Sequence, residues 1–245
     1  MRVDLTFIMP VYNEINQIET AYKDVINSLK VRKETTEIIF IDNGSIDGTK
    51  DWLRKIEDPA VKVIFNDINL GKGGSIRKGI EASRSKYIVI YDPDYEYRAE
   101  GVWKCYDSAV ESNASLVLGS RVLKSKVRYL YYINYFGVRL LTFIINILYE
   151  QQLTDTATAI KLFKSSAVNN INLRCSGFAL DFELVTRIAR LKKKIIETPV
   201  EYFPRTVEDG KKIKPFKDGI LALRVILIDR LIPIESIVKV NKNDL

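Results

Sequence analysis

The amino-acid sequence predicts an α/β fold with a mostly parallel central sheet and helices on both of its faces. In the first half of the 245-residue chain, short apolar runs alternate with longer amphipathic stretches. The runs are apolar throughout rather than alternating with polar residues, which is typical of strands that helices cover on both sides. Hydrophobic residues make up 47% of the chain, enough for one sizeable core.

The apolar runs give the predicted strands and the stretches between them give the predicted helices. In chain order the strands are Leu5–Met9, Glu37–Ile41, Val61–Phe65, Tyr87–Tyr91 and Ser115–Leu118. The helices cover residues 15–30, 47–56, 72–84 and 100–112. Strands that alternate with helices in this way predict a doubly wound sheet.

The second half of the chain is less regular and contains two long apolar stretches. Tyr129–Tyr149 is rich in Tyr, Phe, Leu and Ile, and Arg139 is its only charged residue. The polar side chains that interrupt it are Asn134, Arg139, Thr142 and Asn146. This favours a buried or surface-lying amphipathic helix over a membrane span. Residues 217–231 form a second such stretch, so we expect amphipathic helices in this half.

Charge and composition restrict the chemistry. The chain has no histidine, which excludes histidine-based nucleophile triads and histidine-ligated metal sites. The net charge of +7 is uneven: residues 1–98 carry 15 Lys/Arg against 16 Asp/Glu, whereas residues 99–245 carry 23 against 15. A basic half indicates an anionic partner, such as a phosphorylated substrate or a membrane surface. We do not expect nucleic acid, because the aromatic residues lie in an aliphatic stretch rather than among basic residues.

Two features of the sequence indicate the cellular compartment of the protein. The two cysteines cannot form a disulfide framework, which is typical of a reducing compartment. The apolar run at Leu5–Met9 is too short for a secretory signal, and Pro10 ends it. We therefore expect a cytoplasmic protein.

Three polar loops follow predicted strands and should meet at one edge of the sheet, where ligands of open α/β sheets bind. They are residues 10–14, 42–49 and 92–96. In the third loop, Asp92, Asp94 and Glu96 place carboxylates close together, and such groups repel unless a cation or a proton lies among them. Without histidine, the cation that fits is Mg²⁺ or Mn²⁺, which usually bridges to substrate phosphates.

A glycine-rich stretch runs from Gly71 to Gly79. It matches neither the dinucleotide-binding fingerprint nor the P-loop, because Ile76 and Ile80 occupy required positions. Since it precedes a predicted helix, we expect its backbone N–H groups and Lys72 to meet an anion.

Taken together, the motifs resemble those of the inverting family 2 glycosyltransferases of GT-A fold, and among them the dolichyl- or polyprenyl-phosphate sugar synthases. The segments that carry the resemblance are residues 10–14, 41–49, 69–73, 92–94, 119–121, 153–156, 161–163 and 204–205, with Gly210-Lys211-Lys212. They cover roughly residues 5–220. Asn43 stands where many relatives have a second aspartate.

The resemblance implies a role for each candidate residue. The residues that would hold the donor's base and ribose are Pro10, Tyr12, Glu14, Ile41, Asp42 and Asn43. Asp92 and Asp94, on either side of Pro93, would hold Mg²⁺ or Mn²⁺, with Glu96 near the metal. The basic residues that would neutralise the donor diphosphate and the acceptor phosphate are Arg121 and Arg205, with Lys211 or Lys212. Asp155 is a candidate base or orienting group, and Glu183 would lie near the sugar.

The implied function is metal-dependent, inverting transfer of a hexose from a nucleotide sugar of the UDP-glucose or GDP-mannose type to a polyprenyl or dolichyl phosphate. It would take place at the cytoplasmic face of a membrane, with the protein bound peripherally. We expect one domain over residues 1–245, in which residues 1–98 mainly bind the nucleotide sugar and residues 99–235 face the acceptor and the membrane.

Two alternatives stay open at this point. The acceptor can instead be a saccharide hydroxyl in polysaccharide or glycolipid assembly. That reaction needs a base, which Asp155 or Glu183 would have to supply. The other alternative is a membrane-surface binding protein that keeps the fold without turnover.

Overall fold

The computed structural model describes residues 3–123, 132–205 and 215–239. Seven strands form one sheet in the order β3-β2-β1-β4-β6-β5-β7. The strands are β1 (Leu5–Val11), β2 (Thr36–Asp42), β3 (Val61–Phe65), β4 (Tyr87–Ile90), β5 (Leu116–Ser120), β6 (Lys161–Lys164) and β7 (Ile195–Pro199). Neighbouring strands are parallel except on either side of β6. The prediction of a mostly parallel α/β sheet is confirmed.

Helices connect the strands and cover the sheet. They are α1 (Ile18–Leu29), α2 (Thr49–Leu53), α3 (Gly71–Ala82), α4 (Ala99–Ser112), α5 (Tyr132–Tyr149), α6 (Ser165–Val168), α7 (Leu180–Arg190) and α8 (Pro215–Leu231). A single 3₁₀ turn follows at Ile234–Ser236. The four predicted helices of the first half are all present, and α2 is shorter than predicted.

Alternate residues of the central strands supply two separate cores. Ile8 and Ile39 point to the face that α3, α5, α7 and α8 cover. Phe7 and Phe40 point to the opposite face, where they pack with α1 and α4. Because side chains alternate along a strand, an apolar run buries both sets only when helices lie on both faces. This explains why these strands contain almost no polar residues.

Strand β6 lies antiparallel between β4 and β5, and the sequence did not predict it. Its four residues begin and end with lysine, a pattern that indicates an exposed loop. Lys161 is nevertheless fully buried. Its ammonium lies 3.2 Å from a carboxylate oxygen of Asp181, which compensates part of the cost of burying the charge. The compensating residue lies 20 positions away, beyond the reach of a local pattern.

The second half of the chain is held together by a buried ion-pair network. Arg187 on α7 pairs with Glu183 at 2.7 Å and with Asp229 on α8 at 3.0 Å. All three side chains are almost fully buried. The network fixes α8 against α7, and α5 packs beside α8. The predicted helix over Tyr129–Tyr149 is present from Tyr132, and its first three residues lie outside the described ranges. Within those ranges, no helix combines the length and apolar character needed to cross a bilayer.

The packing of α3 on β1 predicts a stability difference between two helical glycines. A Cβ atom on Gly79 would lie 2.6 Å from Ile8 Cγ2, whereas a Cβ atom on Gly219 of α8 meets no atom within 4 Å. We expect Gly79→Ala to lower the free energy of unfolding by about 1–3 kcal/mol through overpacking. The control Gly219→Ala should raise it by up to about 1 kcal/mol through better helix propensity. Denaturant unfolding of both variants measures the difference, and equal stabilisation would contradict the described packing.

Candidate active site

A cleft of about 560 Å³ lies beyond the carboxyl ends of β1, β2 and β4. Its floor consists of the loops that follow these strands, together with the start of α3. Helices α5, α7 and α8 contribute the opposite wall through residues such as Leu141, Phe182 and Ala222. The sheet therefore places the loops that the sequence singled out at one end, opposite the amphipathic helices of the second half.

Side chains of the loop after β2 hold the loop after β1 in place. The backbone N–H groups of Asn13 and Glu14 donate to the hydroxyls of Ser45 and Thr49, at 2.9 and 3.0 Å. In return, the side-chain oxygen of Asn13 accepts a hydrogen bond from the N–H of Ile46 at 2.9 Å. These bonds explain the polar residues of the two loops and fix the segment that presents Tyr12 and Glu14 to the cleft.

The predicted donor-binding residues divide into two groups. Pro10, Tyr12, Glu14 and Asn43 line the cleft. Ile41 and Asp42 do not, because Ile41 is part of the core and Asp42 is fully buried. The carboxylate of Asp42 accepts the N–H of Ser45 at 3.3 Å and so stabilises the turn after β2. The side chains of Ile41 and Asp42 are therefore buried in the protein and do not face the cleft.

The side-chain amide of Asn43 organises the segment before α3. It donates to the Asn69 side-chain oxygen at 2.7 Å and accepts from the Leu70 N–H at 2.8 Å. The Asn66 side chain donates to the same oxygen of Asn43 at 3.2 Å. An amide can donate and accept at once, which an ionised carboxylate cannot. This explains why asparagine suits position 43.

Two acidic side chains after β4 are held by basic residues from distant parts of the chain. The ammonium of Lys72 lies 2.7 Å from Asp92. The guanidinium of Arg205 lies 3.0 Å from Asp94 and 3.4 Å from Glu14. Pro93 separates the two aspartates and also lines the cleft. The two pairs of Arg205 thus join acidic and basic candidates that are more than a hundred residues apart in sequence.

The surroundings of Asp94 raise the pKa of its carboxyl group. Burial raises its pKa to about 7, and the nearby charges of Asp92 and Glu96 add to the shift, against the opposing effect of Arg205. Among the described lining residues, the carboxylates are Glu14, Asp92, Asp94, Glu96, Asp181 and Asp218, whereas the basic residues are Lys72, Arg121 and Arg205. With all of them ionised, the cleft has three more negative than positive charges. An added cation would therefore be stabilised there.

The structure corrects the predicted three-carboxylate metal site. Glu96 lines the cleft, but its carboxylate is engaged by protein groups, since it accepts hydrogen bonds from the Arg205 N–H at 2.8 Å and the Tyr202 hydroxyl at 3.2 Å. Within the described ranges, no three acidic or cysteine side chains are arranged to hold a metal ion. Asp92 and Asp94 still fit a divalent cation that keeps further oxygen ligands from a bound diphosphate, the usual coordination of Mg²⁺.

Asp155 lies behind Arg121 rather than in the cleft. Its two carboxylate oxygens each accept a hydrogen bond from the Arg121 guanidinium at 2.7 Å, and one of them also accepts the backbone N–H of Arg121. Asp155 is fully buried, and although burial opposes the shift, Arg121 lowers its pKa. A carboxylate held in this way is a poor proton acceptor. The placement suits orientation of Arg121, which lines the cleft, and not the role of a base.

Glu183 is also directed away from the cleft. It accepts hydrogen bonds from the backbone N–H groups of Arg174 and Cys175, both at 2.9 Å, and pairs with Arg187. These contacts anchor the segment before α7. The expected position near the sugar is therefore not what the structure shows for Glu183.

That anchored segment covers the start of α3. The carbonyl oxygen of Ser176 accepts the N–H groups of Gly73 and Gly74 at 2.7 and 3.3 Å. The expectation that these two amides meet an anion is wrong, because the protein's own carbonyl occupies them. The glycines allow this close backbone approach, and Lys72 remains directed to the cleft.

Sequence reasoning missed two cleft residues. Asp181 lies on the cleft side of α7 and pairs with both Lys72 and Lys161. Ser75 lies one helical turn after Lys72, is fully buried, and its hydroxyl has no hydrogen-bond partner among the residues described. The signal for Asp181 was present, since it stands two residues before Glu183 in the same motif. The predicted Lys211 and Lys212 lie outside the described ranges.

The chain has relatives of known name across nearly its full length. It is 27% identical to the dolichyl-phosphate beta-glucosyltransferase of Saccharomyces cerevisiae, over 97% of this chain and 77% of the relative. It is 26% identical to the undecaprenyl-phosphate mannosyltransferase of Micrococcus luteus, over 91% of both chains. The human dolichyl-phosphate beta-glucosyltransferase is 27% identical over 93% of this chain and 75% of its own length.

The fold also has solved counterparts. Glucosyl-3-phosphoglycerate synthase from Mycobacterium tuberculosis, in a complex with Mn²⁺, UDP and phosphoglyceric acid, superposes with a TM-score of 0.71 at 14% identity. The superposition covers 94% of this chain and 80% of that one, and it shows a shared GT-A fold. Residues 6–171 match the sequence profile of "Glycosyl transferase family 2". Because that match covers more than half of the chain, including six of the seven strands and the loops after β1, β2 and β4, the chain belongs to glycosyl transferase family 2.

Proposed function

We propose that this glycosyltransferase moves a hexose from a nucleotide sugar to a polyprenyl phosphate, with inversion, while bound to the surface of a membrane. In this reaction an acceptor phosphate oxygen forms a bond to the anomeric carbon, and the bond from that carbon to the donor diphosphate breaks. The leaving group is a nucleoside diphosphate. The named relatives support both the hexose and the lipid phosphate.

The cleft offers separate contacts for the two ends of the donor. Tyr12 and Asn43 lie where the loops after β1 and β2 meet, a position that suits the nucleoside. Lys72, Arg121 and Arg205 also line the cleft and suit the diphosphate, on which charge grows as the bond to the sugar breaks. Fixed basic groups that face this charge lower the barrier without needing to reorganise.

Asp92 and Asp94 would hold the divalent cation that the fold family uses. When bound, such a cation supplies Lewis-acid stabilisation of the charge on the leaving diphosphate. The excess of carboxylates in the cleft supports this assignment, since a diphosphate would otherwise enter a site of its own sign.

A lipid phosphate is the acceptor that best fits the surroundings of Asp155 and Glu183. A phosphate monoester is already ionised near neutral pH and needs no base, whereas a sugar hydroxyl does. The two carboxylates considered as bases are both buried and ion-paired outside the cleft. Their placement supports phosphate over a saccharide hydroxyl.

The observation that carries the proposal is the apolar outer surface of the two helices that form one wall of the cleft. On α5, four large side chains at helical spacing are at least 60% exposed: Phe136, Leu140, Phe143 and Ile147. On α8 and the turn after it, the exposed apolar residues are Phe216, Ile220, Leu221, Leu227, Ile228, Leu231 and Ile234. We call these residues the apolar surface. Soluble monomers rarely expose so many large apolar side chains together.

Charge on the same helices supports an anionic membrane as the partner. The exposed charged residues of α5 and α8 are Arg139, Lys217, Arg224 and Arg230, all of them basic. A helix with apolar and basic residues on its outer surface lies at the boundary between lipid headgroups and chains. Because the inner sides of the same helices line the cleft, an acceptor phosphate can reach the site while its lipid tail stays in the bilayer.

We expect Asp94→Ala to reduce transfer to polyprenyl phosphate by at least about a hundredfold, because the divalent cation loses a ligand. The assay measures nucleoside diphosphate release from UDP-glucose or GDP-mannose with Mn²⁺ or Mg²⁺, with and without polyprenyl phosphate. Asp51→Asn is the control, since the Asp51 side chain is 72% exposed on α2. A fully active Asp94→Ala enzyme would overturn the metal assignment, and transfer to an oligosaccharide but not to lipid phosphate would overturn the acceptor.

Charge placed on the apolar surface should release the protein from membranes. We expect Leu140→Asp and Phe143→Asp each to weaken binding to vesicles of phosphatidylcholine and phosphatidylglycerol by about tenfold or more, from the lost burial of one large side chain. Transfer to a water-soluble, short-chain polyprenyl phosphate should persist. Co-sedimentation with vesicles measures the first effect.

The matched control is Val31→Asp, because Val31 is 83% exposed but lies in the turn after α1. Wild-type binding should also fall as salt is raised, since the basic residues contribute through a screened interaction. Vesicle binding that is equal in all three variants would contradict the proposed membrane surface.

A further inference from the structure

Lys72 is held between two carboxylates from different parts of the fold. Its ammonium lies 2.7 Å from Asp92, after β4, and 3.5 Å from Asp181, on α7. The side chain is 13% exposed and lies beside the ring of Phe178. Burial opposes charge on the ammonium, but Asp181 and Asp92 together raise the pKa of Lys72 above its usual range. Lys72 is therefore a fixed cation with two anchors.

The two anchors differ in what else they do. Asp92 is one of the two aspartates suited to a divalent cation. Asp181 has no such role, because its second carboxylate oxygen faces the ammonium of Lys161 at 3.2 Å. Lys161 is fully buried in β6 and also donates to the carbonyl oxygen of Thr158. Asp181 is thus held from behind by a cation that cannot move into solvent.

Lys72, Lys161, Asp92 and Asp181 form one group of contacting charged side chains. The two lysines carry two positive charges and the two aspartates carry two negative charges, so the group as a whole is neutral. If Asp92 turns to a divalent cation, two lysines are left to share one carboxylate. The excess positive charge then lies on Lys72, at the end of the group that faces the cleft. A donor diphosphate is the anion that would meet it there.

We propose that Asp181 is a positioning residue that keeps Lys72 over the cleft when Asp92 binds the divalent cation, so that Lys72 exchanges Asp92 for the donor diphosphate. This inference rests on the proposed function, because it requires a nucleoside diphosphate in the cleft. It gives a reason for the lysine at the start of β6, which the reaction itself does not use. Lys161 holds Asp181, and Asp181 holds Lys72.

The proposal predicts that loss of the Asp181 charge weakens nucleotide binding, which is the opposite of what simple electrostatics predicts. Removing a negative charge from a cleft that binds an anion would by itself strengthen binding. Loss of a positioning residue weakens it, because Lys72 is no longer held at the diphosphate. We expect Asp181→Asn to weaken UDP or GDP binding in Mn²⁺ by about tenfold, the effect of losing one charged hydrogen bond.

The same variant should require more Mn²⁺. Once Asp181 is replaced, Asp92 is the one of these two carboxylates that still binds Lys72. A metal ion that binds Asp92 must then displace the Lys72 ammonium from it completely. Isothermal titration calorimetry with UDP and with GDP measures nucleotide binding. Electron paramagnetic resonance of free Mn²⁺ measures the half-saturating metal concentration. Neither measurement depends on turnover.

Further variants separate positioning from folding. Asp181→Asn leaves Lys161 buried without its carboxylate, so the double variant Asp181→Asn with Lys161→Met removes both buried charges and should fold. It should show the same weaker nucleotide binding. Asp181→Glu should restore part of the affinity, and the exposed control Asp51→Asn should behave as wild type. Thermal unfolding checks that each protein is folded.

The outcomes distinguish this inference from the proposed function. If the wild-type protein binds neither UDP nor GDP at any Mn²⁺ concentration, the proposed donor is wrong and the inference falls with it. If the wild type binds and the folded double variant binds nucleotide and Mn²⁺ equally well, the positioning role of Asp181 alone is overturned.

Discussion

The excess of negative charge in the cleft is the constraint on which the rest of the site depends. Carboxylates from two loops and two helices meet in one half-buried space, and the described basic residues that line it are too few to balance them. Burial, together with the neighbouring charges of Asp92 and Glu96, raises the pKa of Asp94. Such a site needs counter-charges, and the described basic residues of the protein supply some of them. Under the proposed function, a bound cation would supply the rest, and binding of the anionic donor would depend on it.

Ion pairs between residues that are separated in sequence balance part of this negative charge. Lys72, at the start of α3, pairs with Asp92, and Arg205 pairs with Asp94. Buried pairs of this kind contribute little net stability, because desolvation offsets most of their attraction. Their value is geometric, since they fix basic groups in positions from which a diphosphate can be contacted. The bidentate pair of Arg121 with Asp155 serves Arg121 in the same way.

In the second half of the chain, helices α5 and α8 each face two different surroundings. The inner sides of α5 and α8 line the cleft, and their outer sides carry the apolar surface with basic residues beside it. The buried network of Glu183, Arg187 and Asp229 holds this wall against α7. Under the proposed function, transfer would therefore take place directly beside a surface suited to lipid, with no large movement of the acceptor.

The sequence by itself determined the fold class, the five strands of the first half and the loops that form the floor of the cleft. These follow from local patterns, because a strand covered on both faces must be apolar throughout and polar loops must follow it. Family membership also followed from motifs in order. Asp92 and Asp94 were predicted as candidate metal ligands from the local sequence, because their spacing after a strand already brings two carboxylates together.

Only the tertiary structure decided which way each acidic side chain of the second half points. The sequence offered Asp155 and Glu183 as candidates, but Arg121, 34 residues from Asp155, binds that carboxylate outside the cleft. Glu183 pairs with Arg187 on the same helix and accepts backbone N–H groups of the segment before α7. Asp181 was overlooked because its partner Lys72 lies 109 residues away. Strand β6 was missed for the same reason, as its buried lysine needs that aspartate. The direction of a buried charge depends on its partner, and long-range pairing brings that partner close only in the folded chain.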